Sequence, residues 1–358
     1  MVKKDKIHYN TRKIDSYDKP FNYIISPRIA GKTTAVWNKI YKRFKTKGQP
    51  SIVLRRRIND ITEAYIQDIG TTINKFLPDN KQIKLEFKKG DIKEGIINVT
   101  IEGKIFIRVI ALSNPKSRLK SMVLRNVAFI VFDEFICDTM QGEKYLDDEV
   151  GKFKEIYTTY SRECDDSVLK CYFMGNPYSV YNPYFADINV DYSKVLPGCL
   201  LTGLVWALEC YKLKPELIEW IKKHNPLALL EDDYAKYAFG GINVNDVNFS
   251  IMQKQPNNYV LKYVFRIQNR YLGVFKCNKD RNINGFDFGK YWIKVIDSVG
   301  ADRTIYAVDF NNLIKGSELL TPDTRYILHC LKYSIAKNET TYQSIECAYL
   351  IQAIYSII

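Results

Sequence analysis

The 358-residue chain has three histidines, and its eight cysteines form no Cys-x-x-Cys pair. A zinc site with ordinary ligand spacing is therefore unsupported, and reduced, mostly buried thiols are expected. No stretch approaches the ~20 consecutive apolar residues of a membrane span. The basic start Met1-Val-Lys-Lys-Asp-Lys6 lacks the apolar core of a signal peptide. A soluble, cytosolic protein with no membrane partner is expected. Internal repeats and low-complexity tracts are missing. So are the Asn-Lys-x-Asp guanine signature and the interleaved aromatics of a single-strand stacking platform, which argues against a GTPase and a helicase. Acidic residues are scarce at the start: the first fifty residues hold thirteen basic and three acidic side chains, most of the net +13. That bias points to a polyanionic partner, with a solvated helix face as the plain alternative for the lysines between Lys39 and Lys47.

What is present begins at Phe21-Asn-Tyr-Ile-Ile25, an apolar run that reads as a buried strand. A tight loop, Ser26-Pro-Arg-Ile-Ala-Gly31, follows. From Lys32-Thr33-Thr34 a helical pattern takes over, with Val36, Ile40 and Phe44 on one face. Strand, loop, Gly-Lys-Thr and helix make the context of a phosphate-binding loop. Backbone N–H groups at the helix N-terminus would meet phosphate oxygens. Gly31, Lys32, Thr33 and Thr34 would cradle the phosphates, Lys32 reaching the β/γ pair and the Thr33 hydroxyl holding Mg²⁺. Arg28 lies inside the loop as a further cation. The strict pattern has glycine where this chain has Ser26, and Pro27 and Ile29 stiffen the loop, so an ordinary strand–turn–helix is the competing reading. In the polar leader, Tyr9, Asn10 and Tyr17 are candidate base contacts.

A second apolar run, Ala128-Phe-Ile-Val-Phe132, ends in Asp133-Glu134. A uniformly apolar parallel strand ending in two acids suits a Walker B strand. Asp133 would serve the metal and Glu134 would polarise water as general base. A third run, Val168 to Met174, ends in Gly175-Asn176, and Asn176 is the candidate γ-phosphate sensor. The short run Ser51–Arg55 ends in three arginines, Arg55-Arg56-Arg57, of which Arg55 and Arg56 are candidate phosphate or DNA contacts. Lys116, Arg118 and Lys120 line a basic loop suited to DNA or to a neighbour's nucleotide. Residues 82–112 alternate as a β-meander, 141–162 read as a helix, and Leu200 to Leu208 as one more apolar run. Residues 211–245 read as a helical connector, with helices at Pro215–Lys223 and Leu229–Phe239. Residues 246–358 read as a second α/β domain ending in a helix from Tyr342 to Ile357.

Assembled, these pieces resemble the DNA-packaging ATPases of small tailed phages of the phi29 type, distant relatives of terminase large subunits. The resemblance rests on Tyr9-Asn10 with Ser16-Tyr-Asp18, on Arg28 and Gly31-Lys32, on Ile130 to Phe135, and on Asn182-Pro-Tyr-Phe185, with a weaker echo at Tyr271 to Phe275. It implies an α/β fold: a P-loop NTPase domain of the additional-strand, catalytic-glutamate class at 1–210, a linker at 211–245, and an RNase H-like domain without nuclease activity at 246–358. It further implies ATP and Mg²⁺ as cofactors and double-stranded DNA as substrate. The partners implied are the portal of a procapsid and a homo-oligomeric (pentameric) ring, with the use of an RNA scaffold left open. The site of action would be the portal vertex in the host cytoplasm. Arg162 matches the region of an arginine finger supplied in trans, and Lys120-Ser121 a trans-acting lysine. Two alternatives stay open: a terminase whose Asp287, Asp297, Asp302 and Asp309 cut DNA, and a DNA-binding protein with a vestigial loop.

Overall fold

The computed structural model describes residues 7–357 except 121–123, 139–142, 163, 165–167, 181, 192–193, 231–250, 268–269, 279–288, 322–325 and 337–338. The chain divides into two compact units, Met1–Asn245 and Asp246–Ile358.

The first unit opens with a short helix α1 (Arg12–Asp15), strand β1 (Phe21–Ile25), helix α2 (Lys32–Lys47), strand β2 (Ser51–Arg55) and helix α3 (Glu63–Asn74). It continues through α4 (Asp91–Glu94), β3 (Ile96–Ile101), β4 (Lys104–Ala111), α5 (Lys116–Lys120) and β5 (Phe129–Asp133). It closes with α6 (Glu149–Ser161), β6 (Lys170–Gly175), α7 (Pro183–Asp187), β7 (Leu200–Thr202), β8 (Trp206–Cys210) and α8 (Pro215–His224). The strands form one sheet in the order β3-β4-β2-β5-β6-β1-β8-β7. The six central strands are parallel, and β3 and β7 are antiparallel edges. Because the central strands are covered on both faces, their runs are apolar without alternation. Ile24, Val53, Val131 and Met174 pack beneath Val36, Trp37 and Ile40 of α2 and Ile66, Ile69 and Ile73 of α3. On the other face Tyr23, Ile52, Phe132 and Phe173 meet Phe153 and Ile156 of α6 and Tyr184 of α7. Gly48, left-handed at φ 66°, ends α2 by giving its N–H to the Phe44 carbonyl.

Several elements differ from the sequence reading. Residues 83–87 form no strand and join β3 only by the Glu86–Thr100 bridge. β4 is not confined to a meander: it pairs with β2 inside the parallel sheet. The helix read from 141 starts at Glu149, where Asp148 at φ 50° breaks the chain direction. Leu200 to Leu208 is a hairpin, because Gly203 donates to the Trp206 carbonyl and Leu204 turns into solvent. α8 buries Leu217 and Ile221 against Ala30 of the loop. The helix read at Leu229–Phe239 lies outside the described residues beyond the 3₁₀ turn Pro226–Leu229.

The second unit is a six-stranded sheet in the order β13-β12-β9-β10-β11-β14. Its strands are β9 (Tyr259–Ile267), β10 (Arg270–Cys277), β11 (Tyr291–Ile296), β12 (Ile305–Ala307), β13 (Ser317–Leu319) and β14 (Thr340–Tyr342). β9, β10 and β11 form an antiparallel meander, flanked by parallel β12 and β14. Helix α9 (Tyr326–Ala336) and helix α10 (Ile345–Ile357) complete it, α10 burying Cys347, Leu350, Ile351 and Ile354. Tyr342, read as the start of the last helix, lies in β14.

Phe173 sits within the aromatic cluster of the first unit. Its ring stacks on Tyr23 with centroids 4.4 Å apart and meets Phe153 at 4.8 Å and Tyr184 at 5.6 Å. Phe173→Ala should cost about 3–5 kcal/mol, read as a lowered urea midpoint at unchanged slope. A loss below about 0.5 kcal/mol, the ordinary scatter of surface substitutions, would contradict this packing.

Candidate functional site

Parallel strands deliver their C-terminal ends to one edge, where open α/β sheets carry ligand sites. At that edge Ile25 lies level with Gly175, and Asp133 with Met174. One residue further come Ser26, Asn176 and Glu134.

The loop from Ser26 to Gly31 is anchored from below. Ser26 N–H donates to the Gly175 carbonyl at 3.2 Å, and Tyr9 N–H to the Ala30 carbonyl at 2.8 Å. Ile29 (φ 66°) and Gly31 (φ 91°) are both left-handed. For Ile29 this is strained backbone; for Gly31 it is what the helix entry requires. A Cβ on Gly31 would also come within 3.1 Å of the His8 side chain. Lys32 starts α2 and is buried, its Nζ donating to the Asn176 Oδ1 at 2.6 Å and to the Ser26 carbonyl at 3.3 Å. Burial lowers the Lys32 ammonium to about 8, against the pull of the Asp133 and Glu134 charges. Thr33 and Thr34 are half-buried in the first turn, and Arg28 is exposed with Nη2 3.3 Å from the Tyr178 hydroxyl.

Asp133 is buried, and burial raises its carboxyl above the usual range while Arg55 opposes the shift. Arg55 Nη1 lies 3.4 Å from Asp133 Oδ2, and its Nη2 2.8 Å from Glu134 Oε2. The same guanidinium lies over the Tyr65 ring at 4.7 Å, and the Tyr65 hydroxyl donates to Asp133 at 3.3 Å. Glu134 is exposed and left-handed at φ 60°. A non-glycine residue there persists only where its surroundings dictate it. Arg56 provides that constraint: Nη1 donates to the Glu134 carbonyl at 3.1 Å and Nη2 to the Phe135 carbonyl at 2.7 Å. Its Nε pairs with Glu149 Oε2 at 2.9 Å, both side chains almost wholly buried. Glu149 also accepts from the Tyr184 hydroxyl and the Leu146 N–H. A cleft of about 320 Å³ beside Glu134 is lined by Arg55, Arg57, Asp60, Lys144 and Tyr178 among others.

The edge thus gathers Arg28, Lys32, Asp133, Glu134, Asn176 and Arg55, but other candidates lie elsewhere. Arg56 is not a surface contact for DNA: successive side chains of a strand point to opposite faces, so Arg55 meets the acids while Arg56 is buried on Glu149. Tyr9 is no open base contact either; its ring packs on Tyr211 and its hydroxyl donates to Glu209 at 2.9 Å. Tyr17 is exposed but precedes β1, beside the Asp18–Lys170 ion pair at the start of β6. Five strand residues, about 15 Å, separate it from the loop. Asn10 is exposed and accepts the Arg12 N–H. Lys116 and Arg118 are exposed and paired with Asp148 and Glu94. Lys120 ends α5, its side chain and Ser121 lying outside the described residues. Arg162 follows α6, whose opposite end carries Glu149; thirteen residues of helix put it about 20 Å from that pair. Sequence reasoning missed Glu149 and Tyr65, for which no local signal exists.

Fold and site together define a class: a parallel α/β domain whose lysine-bearing loop faces an acidic strand end and an asparagine strand tip. The chain belongs to the podovirus DNA encapsidation protein (Gp16) family, whose family model matches residues 3–196. The DNA packaging protein of Bacillus phage phi29 is 31% identical over 186 residues, 51% of this chain and 51% of that protein. The DNA packaging protein of Bacillus phage B103 is 30% identical over 170 residues, 48% of each chain. The match thus spans about half the length of these relatives. In fold the likeness is longer: a chain of the bacteriophage Phi-29 viral genome packaging motor assembly superposes with TM-score 0.64 at 21% identity, covering 99% of this chain and 100% of that one.

The Arg56–Glu149 pair sets a clear expectation. Glu149→Leu leaves a buried guanidinium without its counter-ion and should cost about 3–5 kcal/mol, whereas Arg56→Met/Glu149→Leu should cost less than Arg56→Met and Glu149→Leu together. Urea unfolding of the two singles and the double closes the cycle. Additive losses would contradict the coupling.

Proposed function

We propose that this chain is an ATP-driven motor that moves double-stranded DNA through the portal into a procapsid. The observation that carries the reading is the meeting of Lys32 with Asn176 at the sheet edge that also holds Asp133 and Glu134. Strand β6 lies between β1 and β5, which supports the additional-strand, catalytic-glutamate class of P-loop NTPase. The residues fit ATP and Mg²⁺: a buried ammonium at a helix N-terminus answers phosphate charge, and a buried carboxylate with the Thr33 hydroxyl suits a hard cation. ATP with Mg²⁺ would supply a phosphoryl group whose transfer to water drives movement. Lys32 and Arg28 would bind its phosphates. Asp133 would hold the metal. Asn176 orients Lys32 and would read the terminal phosphate. Glu134 would take the proton of the attacking water, with Arg55 holding its carboxylate in place.

Arg162, far from the loop of its own chain, would act on a neighbour's nucleotide, which calls for a ring; a pentamer and an RNA scaffold at the portal vertex, in the host cytoplasm, complete the proposal. Lys116, Arg118 and Lys120, the basic residues of α5, would meet DNA phosphates. The second unit, with parallel β12 added beside an antiparallel meander, suits an RNase H-like fold without nuclease activity. Among the described residues, no three of His, Cys, Asp and Glu are grouped to hold a metal. Asp309 is committed to capping the turn at Asn312, while Asp297 and Asp302 are exposed. Asp287 lies outside the described residues.

Glu134→Gln separates binding from chemistry: it should hold ATP as the native chain does while hydrolysis falls about 100-fold or more. Hydrolysis at the native rate would refute the assignment. The Lys32 ammonium adds a pH signature. Phosphate binding needs the protonated form, so above pH about 8 the dissociation constant for ATP should rise towards tenfold per pH unit. Lys32→Arg, which keeps its charge, should flatten that rise, and a flat native profile would contradict the buried lysine's role.

A further inference from the structure

The sequence offered Tyr9, Asn10 and Tyr17 for the base of a nucleotide, and the fold withdraws two of them. Another aromatic pair stands at the loop. His8 lies against Gly31, so closely that a Cβ there would come within 3.1 Å of it. The His8 ring meets the Trp220 ring edge-on, with centroids 6.4 Å apart. Trp220 belongs to α8, which is fixed on the loop by Leu217 and Ile221 packing around Ala30. The indole is 44% exposed although its helix is anchored. His224 stacks on it with centroids 4.5 Å apart at 23°, its Nδ1 within hydrogen-bond distance, 2.7 Å, of the Trp220 carbonyl. An indole oriented by two imidazoles, one of them touching the phosphate loop, is a rigid stacking surface. It borders the loop residue that would carry phosphates, where a nucleotide extends its ribose and base.

We infer that Trp220, positioned by His8 and His224, stacks against the base of the nucleotide whose phosphates lie on the Ser26–Thr33 loop. The inference rests on the nucleotide reading above. It gives α8, a helix of the first unit, a role in the site beside its packing on Ala30. A base has an apolar π-face whatever its identity, so stacking supplies affinity rather than discrimination.

The test compares two ligands on the full chain: ATP, and tripolyphosphate, which has the phosphates but no base. Trp220→Ala should weaken ATP about fivefold or more, the cost of losing one stacked base, and leave tripolyphosphate unchanged. Trp220→Phe should keep most of the ATP affinity. Thermal unfolding of both variants should match the native chain, since the indole is exposed. Unchanged ATP affinity in Trp220→Ala would overturn the inference and leave the phosphate site standing. Equal losses for both ligands would also overturn it, assigning Trp220 to support of the loop. Failure of the native chain to bind either ligand would instead refute the nucleotide reading, and this inference with it.

Discussion

The buried pair between Arg56 and Glu149 is the constraint on which the site depends. It joins the end of β2 to the start of α6 and leaves two guanidinium N–H groups aimed at the carbonyls of Glu134 and Phe135. The turn after β5 therefore has its backbone oxygens satisfied in a conformation that glutamate does not favour alone. An isolated charge at that depth would be costly. Paired, it is a clamp with a defined geometry, and Tyr184 and Leu146 complete the hydrogen bonding of the carboxylate. Glu134 leaves the clamp pointing outward, where Arg55 meets it. The two adjacent arginines thus divide the work by strand alternation: one holds the backbone of the acid pair, the other meets its carboxylates.

Lys32 shows the same economy on the other side of the edge. Its burial works against its charge, the nearby acids oppose that shift, and two oxygen acceptors fix the ammonium in place. The position costs stability and leaves a cation poised for an anion. Tyr9 and α8 support it from behind and from the side: Tyr9 holds the Ala30 carbonyl, and Leu217 and Ile221 close over Ala30.

Much of this was legible in the chain. Uniformly apolar runs gave β1, β5 and β6 with their tips, because strands buried on both faces leave no other pattern. The adjacency of Lys32 and Asn176 was not readable, since it depends on which strands are neighbours in the sheet. Tyr17 was misjudged for a geometric reason: closeness in sequence to the loop hides the length of β1 that separates them. Arg56 was misjudged because a run of three arginines reads as a single basic edge, whereas the strand sends alternate members to opposite faces. In the second unit, β13 and β14 are three residues each, too short for any periodicity, and α9 went unread.

Membership of the podovirus DNA encapsidation protein family and this edge geometry both support the proposed account, in which nucleotide chemistry at the sheet edge would be coupled to DNA held by a basic protein. The most direct measurement is the rate of ATP hydrolysis by the full chain with and without double-stranded DNA, at low and at raised salt. The account predicts hydrolysis that DNA stimulates, with the stimulation fading as salt weakens phosphate contacts. A rate indifferent to DNA at every salt concentration, or no hydrolysis at all, would contradict it.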